Sequence, residues 1–223
     1  AWNNPSSVLV GDFIYSRAFQ VLVSIGHLSI MEIMANTTNK IAEGEVLQLL
    51  SKSNPQPNEC DYMRVIENKT AILFKAAAEC GAILANAEAT TAEALGRFGM
   101  HVGTAFQLID DVLDYQGEPE AMGKNLGDDL TEGKSTLPLL FAMTHCPADE
   151  QALIKACLAA ESPEAEQLQQ VIEIVLKSGG IPYTVDRAEQ EATQAKACLS
   201  FLPDSQYRET LDQMVDFALR RSN

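Results

Sequence analysis

The sequence predicts an all-α fold, and three observations carry that expectation. Apolar residues recur at three- and four-residue spacing over long stretches, the mark of amphipathic helices. Breakers gather between those stretches, as in Ser53-Asn54-Pro55-Gln56-Pro57, Gly117-Glu118-Pro119 and Gly179-Gly180-Pro182. No run alternates apolar and polar residues as a half-buried strand would. In order, a first helix is expected over 8–34, behind the start signals Pro5, Ser6 and Ser7. A second runs from Thr37 to Ser51, a third from Tyr62 to Asn86 and a fourth from Thr91 to Tyr115. Leu137 restarts a helix with Pro138 in its first turn, where a missing N–H costs nothing. Three or four shorter helices follow, broken at Ser162-Pro163, Gly179-Gly180 and Pro203. Residues 1–223 read as one domain with neither repeat nor low-complexity tract.

Of the 223 residues 46% are hydrophobic, enough for a packed core and too many for intrinsic disorder. Sixteen lysines and arginines against 31 aspartates and glutamates leave a net charge of −15, which argues against general attraction to phosphate backbones. No uninterrupted apolar run reaches the eighteen or so residues that span a bilayer, so no transmembrane segment is expected. The five cysteines are widely spaced and form no C-x-x-C pair, so they read as reduced thiols of a cytoplasmic protein.

The chemistry concentrates in Phe106-Gln107-Leu108-Ile109-Asp110-Asp111-Val112-Leu113-Asp114-Tyr115. On an ideal helix Asp114 stands about 40° and Asp111 about 100° from Asp110, with Gln107 at about 60°. Gly96, Gly99 and Gly103 continue the same face, while Leu108, Ile109, Val112 and Leu113 take the others. Three like charges within one turn repel, and burial sharpens the repulsion unless cations intervene. A hard divalent ion such as magnesium resolves both, keeping waters and substrate phosphates as its other ligands. The glycines each cost nearly ~1 kcal/mol of helix propensity, which makes sense if something lies close against that face. A solvated acidic face with glycines that permit tight helix packing is the plainer alternative.

Between Asp110 and Lys134 stand eight acidic residues and two lysines, Lys124 and Lys134. Isolated lysines in such a segment suit a site holding metal and phosphate together, or else pair with Asp128, Asp129 or Glu132. Lys69 heads a strip of Leu73, Ala76 and Cys80, either a charged mouth over an apolar channel or a snorkelling side chain. Glu45 and Gln48, beside Gly44, could add polar contacts or serve only as surface. His27, His101 and His145 match no ligand spacing and read as structural, and no common nucleotide-binding or serine-nucleophile motif occurs.

In this ordered series the chain resembles the trans-isoprenyl diphosphate synthases, in particular the long-chain bacterial kind of octaprenyl type. The likeness is carried by Val8-Leu9-Val10-Gly11-Asp12-Phe13, Ile41-Ala42-Glu43-Gly44-Glu45 with Gln48, and Lys69-Thr70-Ala71. Gly103 through Asp111, Gly123-Lys124 through Asp129, Glu132-Gly133-Lys134 with Thr136-Leu137-Pro138, and Leu202-Pro203-Asp204-Ser205 with Arg208 complete it. The resemblance implies an isoprenoid synthase-type helical bundle around a central cavity, usually homodimeric. It implies condensation of an allylic diphosphate such as farnesyl diphosphate with successive isopentenyl diphosphates. The product would be a long, all-trans diphosphate of about eight units, a respiratory quinone side chain, as in ubiquinone. Asp110, Asp111 and Asp114 would bind Mg2+, with Asp129 in the outer metal network. Lys69, Lys124 and Lys134 would hold the allylic diphosphate, with Glu45 and Gln48 as further contacts. Thr70 and Gln107 would steady the developing carbocation. Peripheral membrane contact for product release is also expected.

The family's first aspartate-rich motif and its following arginines have no counterpart here. Asp12 stands alone, and Arg17 is the first arginine. The expectation is therefore that N-terminal helices are missing, and that these residues alone are inactive while the complete chain is a synthase. A non-catalytic subunit of a heteromeric synthase or an all-α terpene cyclase are the alternatives. The intact acidic trio weighs against the first, and the absence of N-x-x-x-S-x-x-x-E near Asp110–Lys134 against the second.

Overall fold

The computed structural model describes residues 3–52, 54, 56–116, 126–160 and 163–220, and among them every regular element is helical. Helix α1 (Asn4–Ile25) starts where the Asn3 side chain accepts from the Ser6 N–H, and it stops at Gly26, whose φ of 69° closes the helix. The chain turns there and restarts at once as α2 (Leu28–Lys52), so the expected single helix over 8–34 is two. The expected break before Thr37 is absent. Thr37 is buried within α2, and the Thr38 hydroxyl is satisfied by the Ala35 carbonyl.

The expected third helix is interrupted. Asn58 caps α3 (Glu59–Ile66) by accepting from the Asp61 N–H, and a single π-turn (Glu67–Ala71) joins it to α4 (Ile72–Leu84). A π-turn inserts one residue into the helical register, so ideal-helix bookkeeping from Lys69 to Cys80 fails at its start. Then come α5 (Ala89–Gln116), the short α6 (Asp128–Thr131) and α7 (Leu137–His145), which carries Pro138 in its first turn as expected. Helices α8 (Ala148–Ala159), α9 (Ala165–Ser178), α10 (Gly180–Cys198) and α11 (Gln206–Leu219) complete the bundle.

Helix α5 is the axis, packed along its length by α4 on one side and α10 on the other. It feeds three buried clusters: Phe98 and Val102 toward α10 and α11, Leu108, Ile109 and Leu113 toward Tyr62 and Leu137, and Val112 and Tyr115 toward α7–α9. The glycine face has a structural use. A Cβ on Gly99 would overlap the Phe74 carbonyl, and one on Gly103 would sit 2.6 Å from the Ala71 Cα. What lies close against these two glycines is the π-turn and α4, the plainer of the two alternatives.

Helix α1 has no buried residue, and Leu9, Phe13 and Ile14 are all more than 60% exposed. By length and composition it is apolar enough to cross a membrane, contrary to expectation. The run is broken by Asp12 and Arg17, but the average over the helix stays apolar.

Gly103→Ala should cost about 2–3 kcal/mol, because backbone rather than a flexible side chain must move. Gly81→Ala, in α4 with nothing within 4 Å, should be neutral or stabilising by up to about 1 kcal/mol. Urea unfolding of both variants measures the difference.

Candidate active site

Two helices pack against the π-turn, and each contact depends on a residue without a side chain. Gly103 of α5 sits against Ala71, and Gly44 of α2 against Lys69, whose N–H would lie 2.8 Å from a Cβ there. The close approach brings Lys69 Nζ to 2.7 Å from Gln48 Oε1 and 3.2 Å from Glu45 Oε1. Lys69 is thus held by α2 rather than snorkelling over the strip beyond it. On the other side of the turn the Thr70 hydroxyl donates to Gln107 Oε1 at 3.0 Å.

A pocket of about 220 Å3 opens here between the end of α2, α3, the π-turn, α5 and the segment after α6. Asp110, Asp111 and Asp129 line it, faced by Lys69 and Lys134. Val65, Ile66 and Leu140 give it an apolar wall. Asp111 is 3% exposed and both its oxygens accept: Oδ1 from Gln107 Nε2 at 2.9 Å, Oδ2 from the Tyr62 hydroxyl at 2.6 Å. Burial pushes its carboxyl up to about 7 against the pull of these two bonds, and the charges of Asp129 and Asp110 add to the rise. Burial likewise drives the Tyr62 phenol well above its ordinary value, with the Asp111 charge adding to the shift. Asp110 keeps more solvent contact.

Asp114 stands behind this group, 4% exposed, with the Asp129 N–H 3.3 Å from Oδ2. Lys134 pairs with Asp129 at 2.6 Å and with Glu132 at 3.0 Å. Burial opposes its charge, yet those two partners hold it above the ordinary lysine range. Lys134 therefore both neutralises acids, as one alternative held, and faces the pocket. Lys124 lies outside the described residues. His101 pairs with Glu191 at 2.7 Å, and His145 stacks on Phe141, both away from the pocket.

Sequence reasoning overlooked Tyr62 and Lys52, both of which line the pocket. Tyr62 stands seven residues, two helical turns, ahead of Lys69, so a shared side was legible; its bond to Asp111, 49 residues away, was not.

Among the described residues, no three carboxylate, histidine or cysteine groups converge closely enough to hold a metal ion by themselves. The expected trio Asp110, Asp111 and Asp114 is therefore not brought together as one ligand set.

The model of a family described as polyprenyl synthetase matches residues 1–175. The chain belongs to this family. It is 47% identical over 221 residues to the octaprenyl diphosphate synthase of Escherichia coli (strain K12), spanning 99% of this chain and 68% of that protein. It is 44% identical over 220 residues to an all-trans-nonaprenyl-diphosphate synthase (geranyl-diphosphate specific) of Rhodobacter capsulatus, at 99% and 67%. The polyprenyl synthase of Caulobacter crescentus CB15, solved with calcium and isoprenyl diphosphate, superposes with a TM-score of 0.95 at 40% identity, covering 100% of this chain and 68% of that one. The bundle is accordingly the isoprenoid synthase fold of this polyprenyl synthetase family.

Lys134→Ala leaves Asp129 without its cation beside the buried Asp111. It should lower stability by about 1–2 kcal/mol in urea unfolding.

Proposed function

We propose that this polyprenyl synthetase is a trans-prenyltransferase that extends an allylic diphosphate, such as farnesyl diphosphate, with isopentenyl diphosphate units to a long-chain all-trans diphosphate. The observation that carries the reading is the pocket that gathers Asp110, Asp111 and Asp129 with Lys69 and Lys134 beside an apolar wall. A diphosphate needs cations around its oxygens, and an allylic chain needs a dry surface. Both requirements meet here.

Of the four expected metal ligands, Asp110 and Asp129 would hold Mg2+ directly, Asp114 would buttress Asp129 from behind, and Asp111 would act through its hydrogen bonds. Magnesium, when bound, supplies Lewis acidity toward the departing diphosphate. Lys69, Lys124 and Lys134 bind the same diphosphate oxygens, and Gln48 and Glu45 aim Lys69. Breaking the C–O bond spreads positive charge over the allyl carbons. Thr70 and Gln107 place oxygen lone pairs near that charge, and the apolar wall keeps water from quenching it. The π-electrons of isopentenyl diphosphate then form the new C–C bond, and loss of a proton restores the alkene. The octaprenyl and nonaprenyl diphosphate synthases to which the chain is similar lend the cyclase and silent-subunit alternatives no support.

The same reading extends to a product of about eight units for a respiratory quinone and to cytoplasmic work as a single-domain homodimer. The exposed apolar residues of α1 are the surface proposed to meet the second copy, or a membrane during product release. The strip that includes Ala76 is the proposed course of the growing chain; a second cavity of about 220 Å3 between α2 and α4 touches Ala76, with Ile33 and Ile72 but also Asn36, Lys40, Lys75 and Glu79 in its lining. Cys80, paired with Ala76 in the sequence reading, does not line it.

Two outcomes test this in the complete protein. Asp110→Ala should cut turnover by about 100-fold or more with an unchanged melting temperature. Normal turnover at saturating Mg2+ would refute the site. Ala76→Phe should shorten the products resolved by reversed-phase chromatography, whereas an unaltered distribution would place the growing chain elsewhere.

A further inference from the structure

We propose that Tyr62 is a positioning residue, the anchor of a hydrogen-bond chain that sets which atoms Thr70 and Gln107 present to the substrate. The proposal rests on the prenyltransferase reading of the pocket and deepens it.

The chain runs Tyr62, Asp111, Gln107, Thr70, all four on the pocket wall. Its polarity follows from what each group can do. The phenol has one proton, and gives it to Asp111 Oδ2. In its ionised form the carboxylate has none to give, so the group that faces its Oδ1 must be a donor, and the Gln107 amide meets that demand with its NH2, 2.9 Å away. That choice fixes the amide's orientation. Its carbonyl oxygen is then turned to Thr70, and accepts the one proton of the hydroxyl. Thr70 Oγ1 is left with lone pairs alone for the pocket. An amide flipped the other way would donate to Thr70, free the hydroxyl proton, and let it point at the carbons that become positive.

A bond to one carboxylate oxygen would not achieve this, because Asp111 could rotate about its side-chain torsions and Gln107 would follow. Tyr62 removes that freedom. It is 8% exposed in the cluster of Ile66, Leu108, Ile109 and Leu137, so its ring is clamped by packing. Its helix is tied in turn to α10, where the Tyr183 hydroxyl donates to Glu59 at 2.7 Å and Arg187 pairs with the same carboxylate at 3.4 Å. Rigid elements thus hold the phenol, the phenol holds the carboxylate, and the carboxylate orders the two polar groups next to the reacting carbons. Asp111 acts through its hydrogen bonds, distinct from the direct metal ligation proposed for Asp110.

The test uses the complete protein with farnesyl diphosphate, isopentenyl diphosphate and Mg2+. Tyr62→Phe keeps the ring and removes only the proton. Expected is a fall in kcat of about ten-fold, KM values for both diphosphates within about two-fold, and Mn2+ affinity by electron paramagnetic resonance unchanged. Combined with Gln107→Leu, Tyr62→Phe should add nothing to the loss that Gln107→Leu causes alone. An unchanged kcat, an equal further loss in the double variant, or weakened Mn2+ binding would overturn the proposal. If Tyr62→Phe does not fold, the wild-type protein decides. The side-chain NH2 signals of 15N-labelled Gln107, assigned by their absence in Gln107→Leu, should be well separated and slow to exchange. Coincident, fast-exchanging signals would overturn it. A wild-type protein that elongates nothing would instead refute the prenyltransferase reading and leave the hydrogen-bond chain to be judged by that spectrum.

Discussion

Backbone-to-backbone contact at the π-turn is the constraint from which the rest of the site follows. Gly44 of α2 and Gly103 of α5 let two helices come within van der Waals range of the same five residues, Glu67–Ala71. Even a methyl group at either position would lie only 2.6–2.8 Å from the turn, and would push its helix back by about an ångström. At that wider separation Lys69 would lose Gln48, and Thr70 would lose Gln107. The π-turn is the third participant, since the extra residue in its register rotates Lys69 toward α2 while Thr70 faces α5. Helix propensity is sacrificed at each glycine, and the gain appears as polar geometry rather than as local stability.

Electrostatics builds on that frame. Burial raises the affinity of Asp111 for a proton, and the charges of Asp129 and Asp110 add to the rise. The protein offsets this in two ways. Asp111 accepts hydrogen bonds from Tyr62 and Gln107 that stabilise its charged form, and Asp129 is neutralised by the ammonium of Lys134. Asp110, on the pocket wall with more solvent contact, is the carboxylate whose charge a metal cation is best placed to balance. A fold that buries acids beside a hollow is arranged for a cationic guest, and the oxygen-only character of the donors selects a hard one.

Much of this was legible in the sequence, and the failures have definite causes. Spacing on one ideal helix placed Gln107, Asp110 and Asp111 together because α5 runs unbroken from Ala89 to Gln116, while Asp114, expected on the same face, stands behind the pocket. The same arithmetic failed beyond Lys69 because a π-turn leaves no sequence mark that periodicity can detect. The glycine stripe was seen, but composition alone could not say whether a substrate or a helix lies against it; Phe74 and Ala71 settle that for Gly99 and Gly103. The turn at Gly26 was missed because apolar spacing continues across it, although a glycine flanked by polar Ser24 and His27 was there to be weighed. Tyr62 escaped notice because its partner is remote in the chain, and long-range pairing is what one sequence discloses least.

The central claim is that the acidic groups of α5, with Lys69 and Lys134 opposite, exist to hold a metal-bound diphosphate over an apolar cavity. The most direct test is a crystal structure of the complete protein soaked with Mn2+ and the thio-analogue of farnesyl diphosphate, read at the manganese absorption edge. The account predicts anomalous peaks beside Asp110 and Asp129, with the diphosphate between Lys69 and Lys134 and the chain leading toward Ala76. Manganese and diphosphate bound elsewhere, with this pocket filled only by water, would contradict it.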